Sequence, residues 1–225
     1  EPRYFDMYFD RGLNWYKMNF PLQTQKFISN KFRHKKFITG EASGAYLQNP
    51  HAAKRIYNLN PNMKLILLLR NPVDGAFSHY KRKIKNGSET LSFEEIIDQE
   101  QSRIDGEMEK MENNENYYSS IYHSLAYLTT GLYVKRLKNW LKYFSLKQIL
   151  ILENGDLLKN PEKVYEQTIE FLELPKWKLS NYRKFSKQDL KLDMDPKTRE
   201  QLLDYCKPFN EELYSLIGKR FEWDK

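Results

Sequence analysis

Residues 63–87 read MKLILLLRNPVDGAFSHYKRKIKNG. The first part, Met63 to Arg70, is a continuous apolar run that ends in a charge, the pattern expected of a strand buried on both faces of a parallel sheet. Asn71 and Pro72 then suit the N-cap and first position of a helix. The Asn side chain can accept otherwise unpaired N–H groups, and Pro has none to leave unpaired. That helix should end at Asn86-Gly87, where Gly fits a left-handed cap. Strand, tight turn and helix in this order predict an α/β unit with Arg70 at its ligand-binding edge.

The alternation extends in both directions. Upstream, DRGLNWYKMNFP (10–21) places Leu13, Tyr16 and Phe20 at helical spacing, and KKFITGEAS (35–43) predicts a strand at Phe37, Ile38 and Thr39 that leaves Glu41 and Ser43 past its end. PHAAKRIYNLN (50–60) reads as a helix opened by Pro50 and closed near Pro61. Downstream, Ser92 should open a helix with an acidic first turn, followed by a mobile loop near Asn113 to Asn116. LAYLTTGLYVKRLKNWLKYF (125–144) predicts one long amphipathic helix, with Leu132, Leu137, Trp140 and Leu141 on one face and Lys135, Lys138 and Lys142 on the other. Strand, turn and helix recur from Lys147 to Leu174, and two helices are expected around Pro208. The implied class is α/β, a parallel sheet flanked by helices, in a single domain over residues 1–225.

Composition narrows the function. The 225 residues are 40% hydrophobic and 30% charged, and the longest apolar run is far too short to span a bilayer. Lys+Arg 37 against Asp+Glu 30 give a net charge of +7, which favours anionic partners without choosing among nucleic acid, phosphate cosubstrate and acidic glycan. The 16 Tyr, 13 Phe and 4 Trp leave rings able to stack on sugars or bases. A single cysteine, Cys206, excludes an intrachain disulfide and a cysteine-rich zinc site; with no targeting segment at Glu1 it favours a reducing, cytoplasmic compartment. His34, His51, His79 and His123 lack metal-ligand spacing, which argues against a metal site.

The sharpest constellation is Arg70 at a strand end, with Ser78 two turns into the next helix. A helix N-terminus offers N–H groups to a phosphate, Arg70 can add two parallel N–H bonds, and Ser78 a hydroxyl. The competing reading has Arg70 closing the strand and pairing with Asp74.

The stretch 40–80, GEASGAYLQNPHAAKRIYNLNPNMKLILLLRNPVDGAFSHY, resembles the segment of sulfotransferases that binds the 3′-phosphate of 3′-phosphoadenosine 5′-phosphosulfate (PAPS), particularly the heparan sulfate type and its bacterial relatives. The resemblance continues in order through EPRYFD (1–6), RGLNWYKMNFP (11–21), GLYVKRLKNWLKYF (131–144), QILILENGDLLKNP (148–161) and the segment from Met194 to Trp223. It implies a P-loop kinase-like fold and in-line transfer of a sulfuryl group from PAPS to a hydroxyl or amine. By this resemblance Arg70 and Ser78 hold the 3′-phosphate, Glu1 takes the place of the family's catalytic base, and Glu41 matches a second family Glu. Lys187 matches the Lys of a late loop that closes over PAPS, although Gln188 and Asp189 replace its Gly and Arg. The family's 5′-phosphosulfate loop lies before the segment that begins with Glu1, so the fold as given should lack its N-terminal strand and loop.

Trp15, Tyr46, His79 and Tyr80 are candidates for lining an acceptor site. With the basic residues Lys31, Arg33, Lys35, Lys36, Lys81, Arg82, Lys83 and Lys85 they point toward a carbohydrate acceptor, with no specific nucleic-acid partner. The runner-up is a non-catalytic basic module for nucleic acid or an anionic polymer. A nucleotide kinase is disfavoured by the absence of a GxxxxGK[ST] motif.

Overall fold

The computed structural model describes residues 1–22, 24, 27, 37–182 and 191–224. Its principal α-helices and strands among these residues are α1 (Gly12–Lys17), α2 (Ala52–Leu59), β1 (Leu65–Leu69), α3 (Pro72–Lys85), α4 (Phe93–Arg103), α5 (Glu107–Asn113), α6 (Ser120–Leu125), α7 (Tyr133–Trp140), β2 (Ile149–Glu153), α8 (Asn154–Lys159), α9 (Pro161–Phe171) and α10 (Pro196–Ile217). β1 and β2 are parallel, paired from Leu65↔Ile149 to Leu69↔Glu153. The fold class read from the sequence holds: a parallel sheet flanked by helices.

Side chains on one face of the ladder, Leu65, Leu67, Leu69, Ile149 and Ile151, enter a core built with Ala52, Ile56, Leu137, Phe144, Leu213 and Trp223. The other face differs from expectation. Ile66 and Leu68 are 46% and 45% exposed, so β1 is buried on one face rather than two. Alternate residues point to opposite faces of a strand, and the core just named covers one of them. A second core joins α3 to α4 and α10 through Val73, Ala76, Phe93, Ile96, Leu202 and Cys206.

Local signals placed most elements. The Asn71 carboxamide oxygen accepts from Val73 N at 2.9 Å and Asp74 N at 3.4 Å, and Pro72 follows as expected. Ser92 and Glu95 form the reciprocal cap of α4.

Four expectations are corrected. Phe37–Thr39 is not a strand: among the described residues the ladder comprises β1 and β2, and Ile38 is 43% exposed. The stretch 125–144 is not one helix. The Glu100 carboxylate accepts from the backbone N–H groups of Tyr127, Leu128 and Thr129 at 3.0, 2.9 and 2.8 Å, so these donors do not bond to carbonyls a turn earlier, and α7 starts at Tyr133. Its Leu137 and Trp140 face the core as expected. The expected loop near Asn113–Asn116 is anchored: the buried Arg55 donates to the Glu115 carbonyl, and Asn114 accepts from Asn116 N and Tyr117 N. α10 runs unbroken through Pro208. Leu202 and Cys206 before the proline and Leu213 and Tyr214 after it are all buried, and that packing carries the helix past its missing N–H.

Candidate active site

Arg70 follows the last ladder pair, Leu69 with Glu153. Its backbone therefore runs past the sheet, and Tyr133 of α7 supplies the partners. The tyrosine hydroxyl donates to the Arg70 carbonyl at 3.0 Å and lies 3.4 Å from the Arg70 N–H that donates to it. The Arg70 side chain is half-buried, and its guanidinium has no hydrogen bond or ion pair to a described residue. Asp74, its suspected partner, binds Arg199 of α10 instead, at 2.7 Å. The expected pairing of Arg70 with Asp74 is therefore not formed.

The start of α3 differs from expectation. Pro72 has no N–H, Val73 N and Asp74 N are capped by the Asn71 side chain, and Gly75 N donates to the Asn71 carbonyl at 2.8 Å. The first-turn donors expected to meet a phosphate are thus engaged within the chain. Ser78 is half-buried further along α3.

A second centre forms around Glu41. Its carboxylate accepts from Tyr16 Oη at 2.7 Å and Ser43 Oγ at 3.0 Å, and Tyr46 Oη lies 3.0 and 3.1 Å from its two oxygens. Burial, together with the Glu41 charge, holds the phenols of Tyr16 and Tyr46 far above the usual tyrosine range, so both remain donors. The N-terminal segment lies along this centre: Arg3 N donates to Ser43 Oγ at 3.4 Å and Tyr4 N to Tyr46 Oη at 2.9 Å. Arg3 has a left-handed backbone, φ 54°, uncommon for a residue with a side chain. Its carbonyl accepts from Met7 N and Tyr8 N, and its guanidinium grips the buried Asp6 through Nε at 2.8 and 3.1 Å. The segment that bears Glu1 is thus fastened beside Glu41, while the Glu1 side chain is exposed.

The other candidates fall in different settings. Tyr46 belongs to the Glu41 centre. Trp15 is half-buried, 5.6 Å from the Tyr8 ring, with the Arg11 guanidinium 4.9 Å over its own ring. His79 packs against Tyr127 at 4.6 Å; burial, then Arg82 and Lys83, push its pKa down to about 4, which keeps it neutral at pH 7. Tyr80 packs against Phe77 and Phe93 beside the second core. Lys187 lies outside the described residues, as do Lys31, Arg33, Lys35 and Lys36. Sequence reasoning missed the Asp74–Arg199 pair and Tyr133, whose partners lie far along the chain, and the Arg3–Asp6 clasp, a local pair three residues apart.

A family model described as "Sulfotransferase domain" matches residues 11–212, and the chain belongs to that family. It is 28% identical over 288 residues to the "Membrane-associated sulfotransferase kil1" of Dictyostelium discoideum, covering 98% of this chain and 59% of the relative. It is 24% identical over 244 residues to mouse "Heparan sulfate glucosamine 3-O-sulfotransferase 5", covering 97% of this chain and 63% of the relative. The chain thus spans about three fifths of the length of these curated relatives. Among solved structures, a sulfotransferase from Alicyclobacillus acidocaldarius superposes with a TM-score of 0.66 at 27% identity, over 93% of this chain and 78% of that one.

Proposed function

We propose that the protein transfers a sulfuryl group from PAPS to a hydroxyl or amine, with a carbohydrate as the acceptor class. The observation that carries this reading is the Arg70 guanidinium at the carboxyl end of β1, left without an acidic partner among the described residues because Asp74 is taken by Arg199. A planar, permanently charged fork in that place suits a phosphate, here the 3′-phosphate of PAPS, with Ser78 adding a hydroxyl.

In the proposed reaction the acceptor oxygen or nitrogen bonds to sulfur while the bond from sulfur to the bridging oxygen breaks. The acceptor proton passes to a carboxylate, and 3′-phosphoadenosine 5′-phosphate (PAP) leaves. We assign the proton to Glu1. Glu41 already accepts from three hydroxyls, which suits an orienting role better than that of a base. The carbohydrate acceptor is supported by the glycan substrate named for the mouse relative and by the net charge of +7.

Transfer from labelled PAPS to a panel of glycans and small alcohols, at low and high salt, tests the reading in the full-length protein. Salt-sensitive transfer to saccharides is expected. Transfer confined to a small apolar alcohol, without salt dependence, overturns the carbohydrate assignment, and no transfer to any acceptor overturns the activity.

A further inference from the structure

We infer that Tyr133 is a positioning residue for Arg70: its hydroxyl fixes the backbone from which the phosphate-binding guanidinium springs. The inference rests on the reading of Arg70 given above.

Strand ends are weak points because the ladder that holds each peptide group stops there. β1 loses its partner after Leu69, so the N–H and carbonyl of Arg70 need acceptors and donors from elsewhere. A single hydroxyl serves both, accepting from Arg70 N and donating to Arg70 O. Burial raises the phenol pKa, so the proton stays in place for that bond.

The tyrosine is itself delivered by a close contact. A Cβ on Gly131 would stand 2.7 and 2.8 Å from Cβ and Cα of Pro72, so the turn before α7 rests directly on the first residue of α3 in a way that glycine alone permits. On the other side, the Asn71 side-chain amide donates to the Trp223 carbonyl at 3.0 Å, and the Trp223 ring packs 6.0 Å from that of Tyr133. Arg70 is therefore braced at its own peptide groups, at Asn71 and at Pro72, while its guanidinium has no hydrogen bond or ion pair to a described residue. Removing the hydroxyl leaves the ring packing intact and releases the end of the strand.

A double-mutant cycle on PAP binding, measured by calorimetry on the full-length protein, tests this. Tyr133→Phe should weaken PAP roughly three- to tenfold, the scale of one lost hydrogen-bonding group, and raise KM for PAPS more than it lowers kcat. In an Arg70→Ala background the same substitution should change nothing further, because the residue it positions is gone. Equal weakening in both backgrounds, or none in the parent, overturns the inference while leaving the Arg70 reading intact. An Arg70→Ala variant that binds PAP as the parent does removes that reading, and the inference with it.

Discussion

Arg70 and Glu41 are held in opposite ways. Arg70 is fixed at its backbone by Tyr133, and its charged head meets no described partner. Glu41 is fixed at its head, where Tyr16, Ser43 and Tyr46 occupy the carboxylate. A charge kept free on a rigid base is suited to take a counter-ion from solution, whereas a charge already surrounded by donors is suited to organise its neighbours. The contrast separates a proposed binding role for Arg70 from a proposed orienting role for Glu41. Glu1, proposed as the proton acceptor, is exposed on the segment clasped to Ser43 and Tyr46.

The most severe way to break this comparison is to exchange the two carboxylates' roles. Glu1→Gln should lower kcat by about 10² or more while sparing PAP affinity, because it removes the proton acceptor and no phosphate contact. Steady-state kinetics beside calorimetry reads both. Should Glu41→Gln alone abolish turnover and Glu1→Gln leave it intact, the assignment is reversed, and a hydroxyl-bound carboxylate is the base after all.

The Arg70 half of the comparison predicts the next largest effect. Arg70→Ala should cost about 1.5–3 kcal/mol of PAP binding, roughly ten- to a hundredfold, as expected for a charge-assisted pair of hydrogen bonds. Thermal stability should barely move, since the guanidinium has no described partner to lose. An unchanged PAP affinity with a large drop in melting temperature would return Arg70 to a structural role.

These two residues also mark how far the sequence could be read. The position of Arg70 between strand and helix was legible because everything that frames it is local: an apolar run, an Asn that caps its own helix, and Pro72 at the first position. The same locality made the Ser92 cap legible. Most of what escaped depends on partners far along the chain. Glu100 ends the expected long helix by capping Tyr127 to Thr129, Arg199 removes Asp74 from Arg70 across 125 positions, and Tyr133 reaches Arg70 across 63. Periodicity reports which face of an element is apolar, and it is silent on which distant side chain will claim a backbone donor. The open face of β1 escaped for a related reason. LILLL is apolar throughout, and that pattern does not say whether one layer or two will cover it.

The smallest functional effect is expected at Glu107, which sharpens the comparison by supplying a carboxylate that is occupied for structural reasons. Like Glu41 it accepts from hydroxyls, Tyr117 at 2.8 Å and Ser119; unlike Glu41 it also holds a lysine, Lys110, at 2.7 Å. The Lys110 bond first, then Ser119 and Tyr117, pull its pKa down to about 2 from the usual 4.5. A carboxyl depressed by folding adds stability that is fully present above the unfolded value and is lost as the pH falls through the folded one. Glu107→Gln should therefore leave PAP affinity and kcat unchanged and lower the melting temperature most at neutral pH. The gap to the parent should close between about pH 4.5 and pH 2. A gap that stays constant over that range would mean that the charge of Glu107 contributes nothing and its shape alone matters. A loss of PAP binding in the same variant would mean that the helices around it reach the cosubstrate site, and the division between open and occupied charges would no longer separate function from structure.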